Sequence, residues 1–145
     1  MNGCLECEAQ RSGVPEVLHR EGGFVVHAII GGGAVPGWLI VAPERHVEQL
    51  DALEDAEAAA LGPLLKKVGA ALRLASGAEK LYVSVFAELV AHLHVHVIAR
   101  TPELPNELRG ARLFLSSEKA PADEVARVVQ RVKAALSTQS SASDG

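Results

Sequence analysis

Three of the chain's six histidines fall in one stretch, His92-Leu93-His94-Val95-His96-Val97-Ile98, each separated from the next by one apolar residue. In an extended strand successive side chains point to opposite faces. The spacing therefore predicts a strand with His92, His94 and His96 on one face and Leu93, Val95 and Val97 on the other. β-branched valines suit a pleated, half-buried surface. The apolar face should pack on a core, and the imidazoles should line something polar. Three imidazoles in a row cost too much to bury without partners, so a metal, a phosphate or catalytic work is implied.

A second chemical feature is Cys4-Leu5-Glu6-Cys7, which holds both cysteines of the chain. In a reducing compartment Cys-x-x-Cys reads as half a zinc site or a redox pair, with free structural thiols as a third reading. A structural zinc takes four ligands from Cys and His. His46, just past a strand end, and His92, at the head of the histidine strand, complete a Cys2His2 set. His94 and His96, an i,i+2 pair on a strand, are alternative ligands. The redox reading is the weakest, because no helix is expected directly after Cys4 to lower its pKa.

The elements that position these residues follow from pattern. With 145 residues, 48% apolar and only 3% aromatic, the chain makes one domain with a core of Leu, Val and Ala. A net charge of −4 and the lack of a basic run argue against binding a nucleic-acid polymer. No apolar run approaches the roughly 20 residues of a transmembrane helix. The N-terminus has no basic-then-apolar signal pattern, so a cytoplasmic location is expected.

Residues 3–13 read as a short knuckle with little structure of its own. Residues 14–18 and 24–30 form a hairpin across Glu21-Gly22-Gly23. Gly31 to Gly37 is a permissive connection, since a strand and not a helix follows it. That strand is Trp38 to Ala42, closed by Pro43. Residues 51–75 are the principal helix, with Leu61, Leu64, Leu65, Val68 and Leu72 on one face. Asp51 and Glu54 have capping-box spacing, and Gly62-Pro63 should kink or divide the helix. Ser76-Gly77 stops it. Residues 81–86 form a strand antiparallel to the histidine strand, because the link between them is too short for a parallel crossover. Beyond Arg100 come an irregular Pro-containing segment, an edge strand at 111–115, and an amphipathic helix from Pro121 carrying Val125, Val128, Val129, Val132 and Leu136. Residues 137–145, small and polar, are expected to be a disordered tail.

The stretch His92 to Ile98 resembles the signature of the histidine triad (HIT) family: His, apolar, His, apolar, His, apolar, apolar. Gly37-Trp38-Leu39-Ile40-Val41-Ala42-Pro43-Glu44-Arg45-His46 resembles that family's Gly-His-x-Leu-Val-x-Pro-x-x-His segment. Cys4-x-x-Cys7 matches its zinc-containing members, and the resemblance covers about residues 4 to 100. It implies an α+β fold for a domain at 1–136: a five-stranded antiparallel sheet with a long helix and, here, a C-terminal helix, usually as a homodimer. It implies a nucleotide hydrolase or transferase acting at the α-phosphate of a nucleoside phosphoramidate or dinucleoside polyphosphate. His94 would attack phosphorus and form a nucleotidyl-histidine intermediate, His96 would hold phosphate oxygens, and Cys4, Cys7, His46 and His92 would bind zinc.

The chain also departs from that pattern. Glu88 stands at a Gln position, and a carboxylate repels phosphate. The family's Asn has no counterpart; Ser84 is the nearest polar residue, so Ser84 and Glu88 are the remaining candidates for substrate contact. Ile29 and Ile30 lie where a ribose-binding Asp is expected, Trp38 replaces a histidine, and Ala99 replaces a proline. His27 belongs to no motif and reads as a hydrogen-bonded sheet histidine. A zinc-stabilised nucleotide-binding module with little or no turnover is the alternative these departures suggest.

Overall fold

The computed structural model describes residues 3–142, with side chains through residue 139. Short runs of Val, Ile, Leu and Ala form the centre of the molecule because such side chains fill both faces of a buried strand. The strands are β1 (His19–Glu21), β2 (Phe24–Ala28), β3 (Trp38–Pro43), β4 (Lys80–Ser84) and β5 (Val95–Arg100). They form one antiparallel sheet in the order β1-β2-β3-β5-β4. The expected hairpin at Gly22-Gly23 is present, with its first strand at 19–21 and not 14–18.

One face of the sheet carries Phe24, Val26, Leu39, Val41, Val95, Val97 and Ala99. These pack against Leu64, Val68, Ala71, Leu72 and Ala75 of helix α2 (Asp55–Ser76) and against Val132 and Leu136 of helix α3 (Ala122–Ala142). Antiparallel pairing aligns His27, Ile40, His96 and Ser84 in one row across the opposite face. Helix α1 (Leu5–Ser12) lies over this second face, as the Glu6–His27 contact shows, and so does the segment around Leu104 and Leu113. The core therefore sits between the sheet and α2/α3, and the histidine row faces the other way.

Several expectations are corrected. The knuckle at 3–13 is a helix, opened by Cys4 as N-cap and closed by Gly13 at φ 68°. The histidine strand begins only at Val95. His92 and His94 precede it, in a segment tied down by Leu93 N donating to Val47 O at 2.7 Å. The three histidines therefore do not share one strand face. The main helix starts at Asp55, after a 3-10 turn at Leu50–Ala52, and Glu57 Oε2 accepts from the Glu54 amide at 2.8 Å. The capping pair is thus Glu54 and Glu57, not Asp51 and Glu54.

Pro63 does not divide α2. Gly62, Pro63 and Ala59 lie on the exposed face, so the Ala59 carbonyl that Pro63 leaves without an amide faces water. Residues Gly110–Leu115 form a 3-10 helix, not an edge strand; Gly110 adopts φ 69° and donates its amide to Tyr82 Oη at 3.0 Å. Residues 137–142 of the expected disordered tail continue α3. Ser137 Oγ and Thr138 Oγ1 spend their protons on carbonyls of the preceding turn, Lys133 O and Ala134 O, each at 3.0 Å. Residues 143–145 of that tail lie outside the described residues.

Candidate active site and metal centre

Two sites meet at the segment before β5: His92 belongs to one and His94 to the other. The first is a candidate metal centre. Cys4 caps α1 and its Sγ accepts from the Cys7 amide at 3.5 Å, so both thiols sit on the first turn of one helix. His46 comes from the loop after β3 and His92 from the bend before β5. Cys4 Sγ lies 3.5 Å from His92 Nδ1, and Cys7 Sγ lies 3.4 Å from His46 Nδ1 and 3.5 Å from His92 Nδ1. All four donor atoms fall within 4.8 Å of one another.

That spacing fits a tetrahedral ion. Zn–S bonds of about 2.3 Å and Zn–N bonds of about 2.05 Å give S···N edges of about 3.5 Å. The outer nitrogen of His92 donates to Pro43 O at 2.9 Å, which leaves Nδ1 unprotonated for a metal. Burial also pushes His92 below the ordinary imidazole range, favouring the neutral form that a ligand needs. Burial and the neighbouring Cys4 push the Cys7 thiol up, so a cation is what would stabilise its thiolate. The four residues thus form a possible metal site. The expectation that no helix follows Cys4 is overturned by α1, but the convergence of two histidines on both thiols still points to a metal and not to a redox pair.

The second site is a cavity of about 540 Å3 lined by His94 and His96 and reached by Glu6 of α1. His94 lines it, half-buried, with Nδ1 donating to His92 O at 2.7 Å and Nε2 left as the unprotonated nitrogen. His96, 8% exposed, lines it from β5, its ring 5.0 Å from that of His94. The indole Nε1 of Trp38 donates to His96 Nδ1 at 3.0 Å. Burial, with the nearby His94, lowers the His96 pKa to about 4. Trp38, Phe86 and Phe114 surround the His96 ring with centroids 5.1–6.4 Å away. A chain with five aromatic side chains has placed three of them here.

The cavity wall is largely apolar, with Ile29, Ile30 and Ile40 among its residues. Glu88 stands exposed at this wall, as does Lys119, the one lysine or arginine among its described residues. Lys119 Nζ donates to Gly32 O at 2.8 Å, and the Ala120 amide donates to Gly33 O at 2.8 Å, closing the C-terminal segment onto the glycine loop. Ser84 sits beside His96 across the β4–β5 register but does not line the cavity. Its buried Oγ has no hydrogen-bond partner among the described residues.

The sequence marks Trp38 only as a departure from the family pattern and gives no sign that Phe114, Lys119 and Glu6 belong to the site. None carries a local pattern; each reaches the site from a different element. Glu6 and His27 form a buried pair, with Nε2 donating to Glu6 Oε1 at 2.9 Å and Nδ1 donating to Ala28 O at 2.7 Å. Burial opposes both charges. The mutual hydrogen bond and charge prevail, holding Glu6 below the usual carboxylate range and raising His27. The pair ties α1 to β2, and His27 is the hydrogen-bonded sheet histidine its sequence context suggests.

Residues 32–103 match the family model of the HIT domain. A search of curated proteins gives no match. Among solved structures, a histidine triad (HIT) protein of Sinorhizobium meliloti is 27% identical, with a TM-score of 0.67 over 86% of this chain and 90% of that one. A zinc-bound histidine triad family protein of Mycobacterium smegmatis is 22% identical, with a TM-score of 0.70 over 97% of both chains. A uridylyltransferase is 20% identical, with a TM-score of 0.71 over 93% of this chain and 46% of that one. The matched segment spans the glycine loop, β3, His46 and the whole of His92–Ile98, and the five-stranded sheet agrees with it: this chain belongs to the histidine triad family.

Proposed function

We propose that the chain is a nucleotide hydrolase or transferase acting at the α-phosphate through a nucleotidyl-His94 intermediate. The observation that carries this reading is the Nδ1–H···O bond of 2.7 Å from His94 to the His92 carbonyl. It fixes the tautomer whose Nε2 lone pair is free, and it places that ring in a cavity. An imidazole so held is a nucleophile at pH 7. Its lone pair forms the N–P bond while the bond from phosphorus to the leaving group breaks, the electron pair going with the leaving group. The ring then carries a positive charge, which the His92 carbonyl stabilises. Water or another acceptor attacks phosphorus next and returns the pair to Nε2. His96 holds phosphate oxygens, and Lys119 supplies the cavity's positive charge.

In this reading Cys4, Cys7, His46 and His92 hold zinc. With four protein ligands it would be structural, cross-linking α1 to the loops that precede β5 and follow β3. The zinc-bound M. smegmatis relative supports that identity, and a cytoplasmic location would keep both thiols reduced. No described helix is long and apolar enough to cross a membrane. A homodimer belongs to the same proposal. β4 is an edge strand with Val83 exposed, and Val85 and Leu89 beyond its end are exposed too, Leu89 at 99%, a surface that a second copy would cover. Light scattering at micromolar concentration should give twice the chain mass; a monomer would refute this part.

A second reading, nucleotide binding with little turnover, draws on Glu88 at the cavity wall, where its carboxylate opposes a phosphate. Turnover separates the two. A panel of adenosine phosphoramidates and dinucleoside polyphosphates should include a substrate whose hydrolysis His94→Ala lowers by at least about 10³-fold, the scale of losing a nucleophile. Saturable nucleotide binding without hydrolysis by the unmodified chain would decide for the second reading.

A further inference from the structure

Trp38 is the first residue of β3, and its indole is 6% exposed. It can lie where it does because residue 33 is glycine: a Cβ there would come within 2.5 Å of the indole Cε3. The glycine loop is thus more than a permissive connection. It makes room for a ring whose one polar atom is aimed at His96.

An indole N–H donates and cannot accept. Its partner, His96 Nδ1, must therefore present a lone pair, and the proton of the neutral ring must sit on Nε2. Phe114, edge-on at 5.1 Å from both rings, holds Trp38 and His96 in this arrangement. No described residue makes a hydrogen bond to Nε2, and His96 lines the cavity. Taking a second proton would mean protonating Nδ1 and breaking the indole bond inside an apolar wall.

We propose that Trp38 is a positioning residue that fixes His96 as a neutral Nε2–H hydrogen-bond donor, which bars it from acting as a general acid and selects substrates whose leaving group departs as an anion. This rests on the nucleotidyl-transfer reading above. A neutral imidazole that gave up its Nε2 proton would become an imidazolate, which is out of reach near pH 7. His96 can hold an oxygen but cannot protonate a departing amine. When the bond that breaks is a phosphoanhydride P–O bond, no proton is needed. The His94 Nε2 lone pair forms the N–P bond, the P–O pair stays on the bridging oxygen, and the rest of the molecule leaves as a nucleoside phosphate anion from a cavity whose one lysine or arginine among the described residues is Lys119. A P–N bond to an amine lacks that route.

The experiment is 15N NMR of the histidine rings at pH 7 on the zinc-loaded protein and on Trp38→Phe, with kinetics on a dinucleoside polyphosphate and an adenosine phosphoramidate. In the unmodified protein His96 should show protonated Nε2 and unprotonated Nδ1, and kcat/KM should favour the polyphosphate by about 10²-fold or more, the low end of what general acid catalysis contributes. Trp38→Phe should move His96 to a tautomer mixture and shrink that preference at least about tenfold, mainly through kcat. Protonated Nδ1 in the unmodified protein would overturn the proposal whether or not the variant folds. So would a preference for the amine-leaving substrate, or an unchanged tautomer and ratio in a folded Trp38→Phe. If neither substrate turns over while His96 shows the Nε2–H form, it is the nucleotidyl-transfer reading that fails, and the Trp38 lock stands.

Discussion

Two neighbouring histidines in the cavity receive opposite tasks from what touches the same ring atom. His94 Nδ1 donates a hydrogen bond to a carbonyl and His96 Nδ1 accepts one from an indole. The first leaves a lone pair on Nε2, the second a proton. The pKa of about 4 for His96 has a consequence for stability. In the unfolded chain a histidine titrates near 6.5, so between about pH 6.5 and 4 unfolding takes up a proton. The stabilisation from keeping His96 neutral is complete above about pH 6.5 and is lost as pH falls towards 4. A 13C-detected titration of the His96 ring should show a midpoint near 4, and denaturant midpoints should fall over the same interval. A His96 midpoint near 6.5 would contradict this environment. The triad's spacing, the Cys pair and His46 were legible in the sequence as chemistry-bearing residues. Trp38 was legible only as a departure, since nothing local says that its ring meets a residue 58 positions away.

At the scale of elements, the segment from His92 to His94 is a hinge pin between two sites. The alternating pattern predicts one strand with three histidines on a face. The chain instead stays out of the sheet until Val95, because Leu93 pairs with Val47 beyond the end of β3. That departure from the strand lets His92 turn to the thiols while His94 turns to the cavity, so a metal held by His92 would brace the carbonyl that orients His94. Helix α1 was missed because eight residues with a mixed pattern carry little helical signal; its N-cap is a cysteine and its anchors are His27, His46 and His92, all distant in sequence. Metal should therefore matter to the whole element. Chelation, or the Cys4→Ser, Cys7→Ser pair, should lower Tm by about 10 °C or more, given roughly 2–4 °C per kcal/mol for a domain of this size. It should also expose the α1 amides to hydrogen exchange. An unchanged Tm with no zinc in the purified protein would remove the metal from the account.

For the whole molecule, hydrophobic patterning was enough to place β2, β3, α2 and α3, because those strands are near-continuous apolar runs and the helices keep their 3.6-residue period; it misplaced β1, whose His19-Arg20-Glu21 carries no apolar residue. It could not place the C-terminal segment, whose 3-10 turns bring Phe114 and Lys119 to a cavity built mainly from the first hundred residues. The division of labour that results is clear. One sheet face is core, the other carries the histidine row, and the two ends of the chain close over that row: α1 over His27, the segment before α3 over His96. Everything functional in this account converges on one atom, His94 Nε2. The most direct measurement is mass spectrometry of the reaction with a dinucleoside polyphosphate, quenched in alkaline denaturant because the N–P bond is acid-labile, followed by fragmentation of the tryptic peptide 81–100. One nucleotidyl group should appear on His94, absent in His94→Asn and chased off by water. An adduct on His96, or none from any substrate the protein turns over, would contradict it.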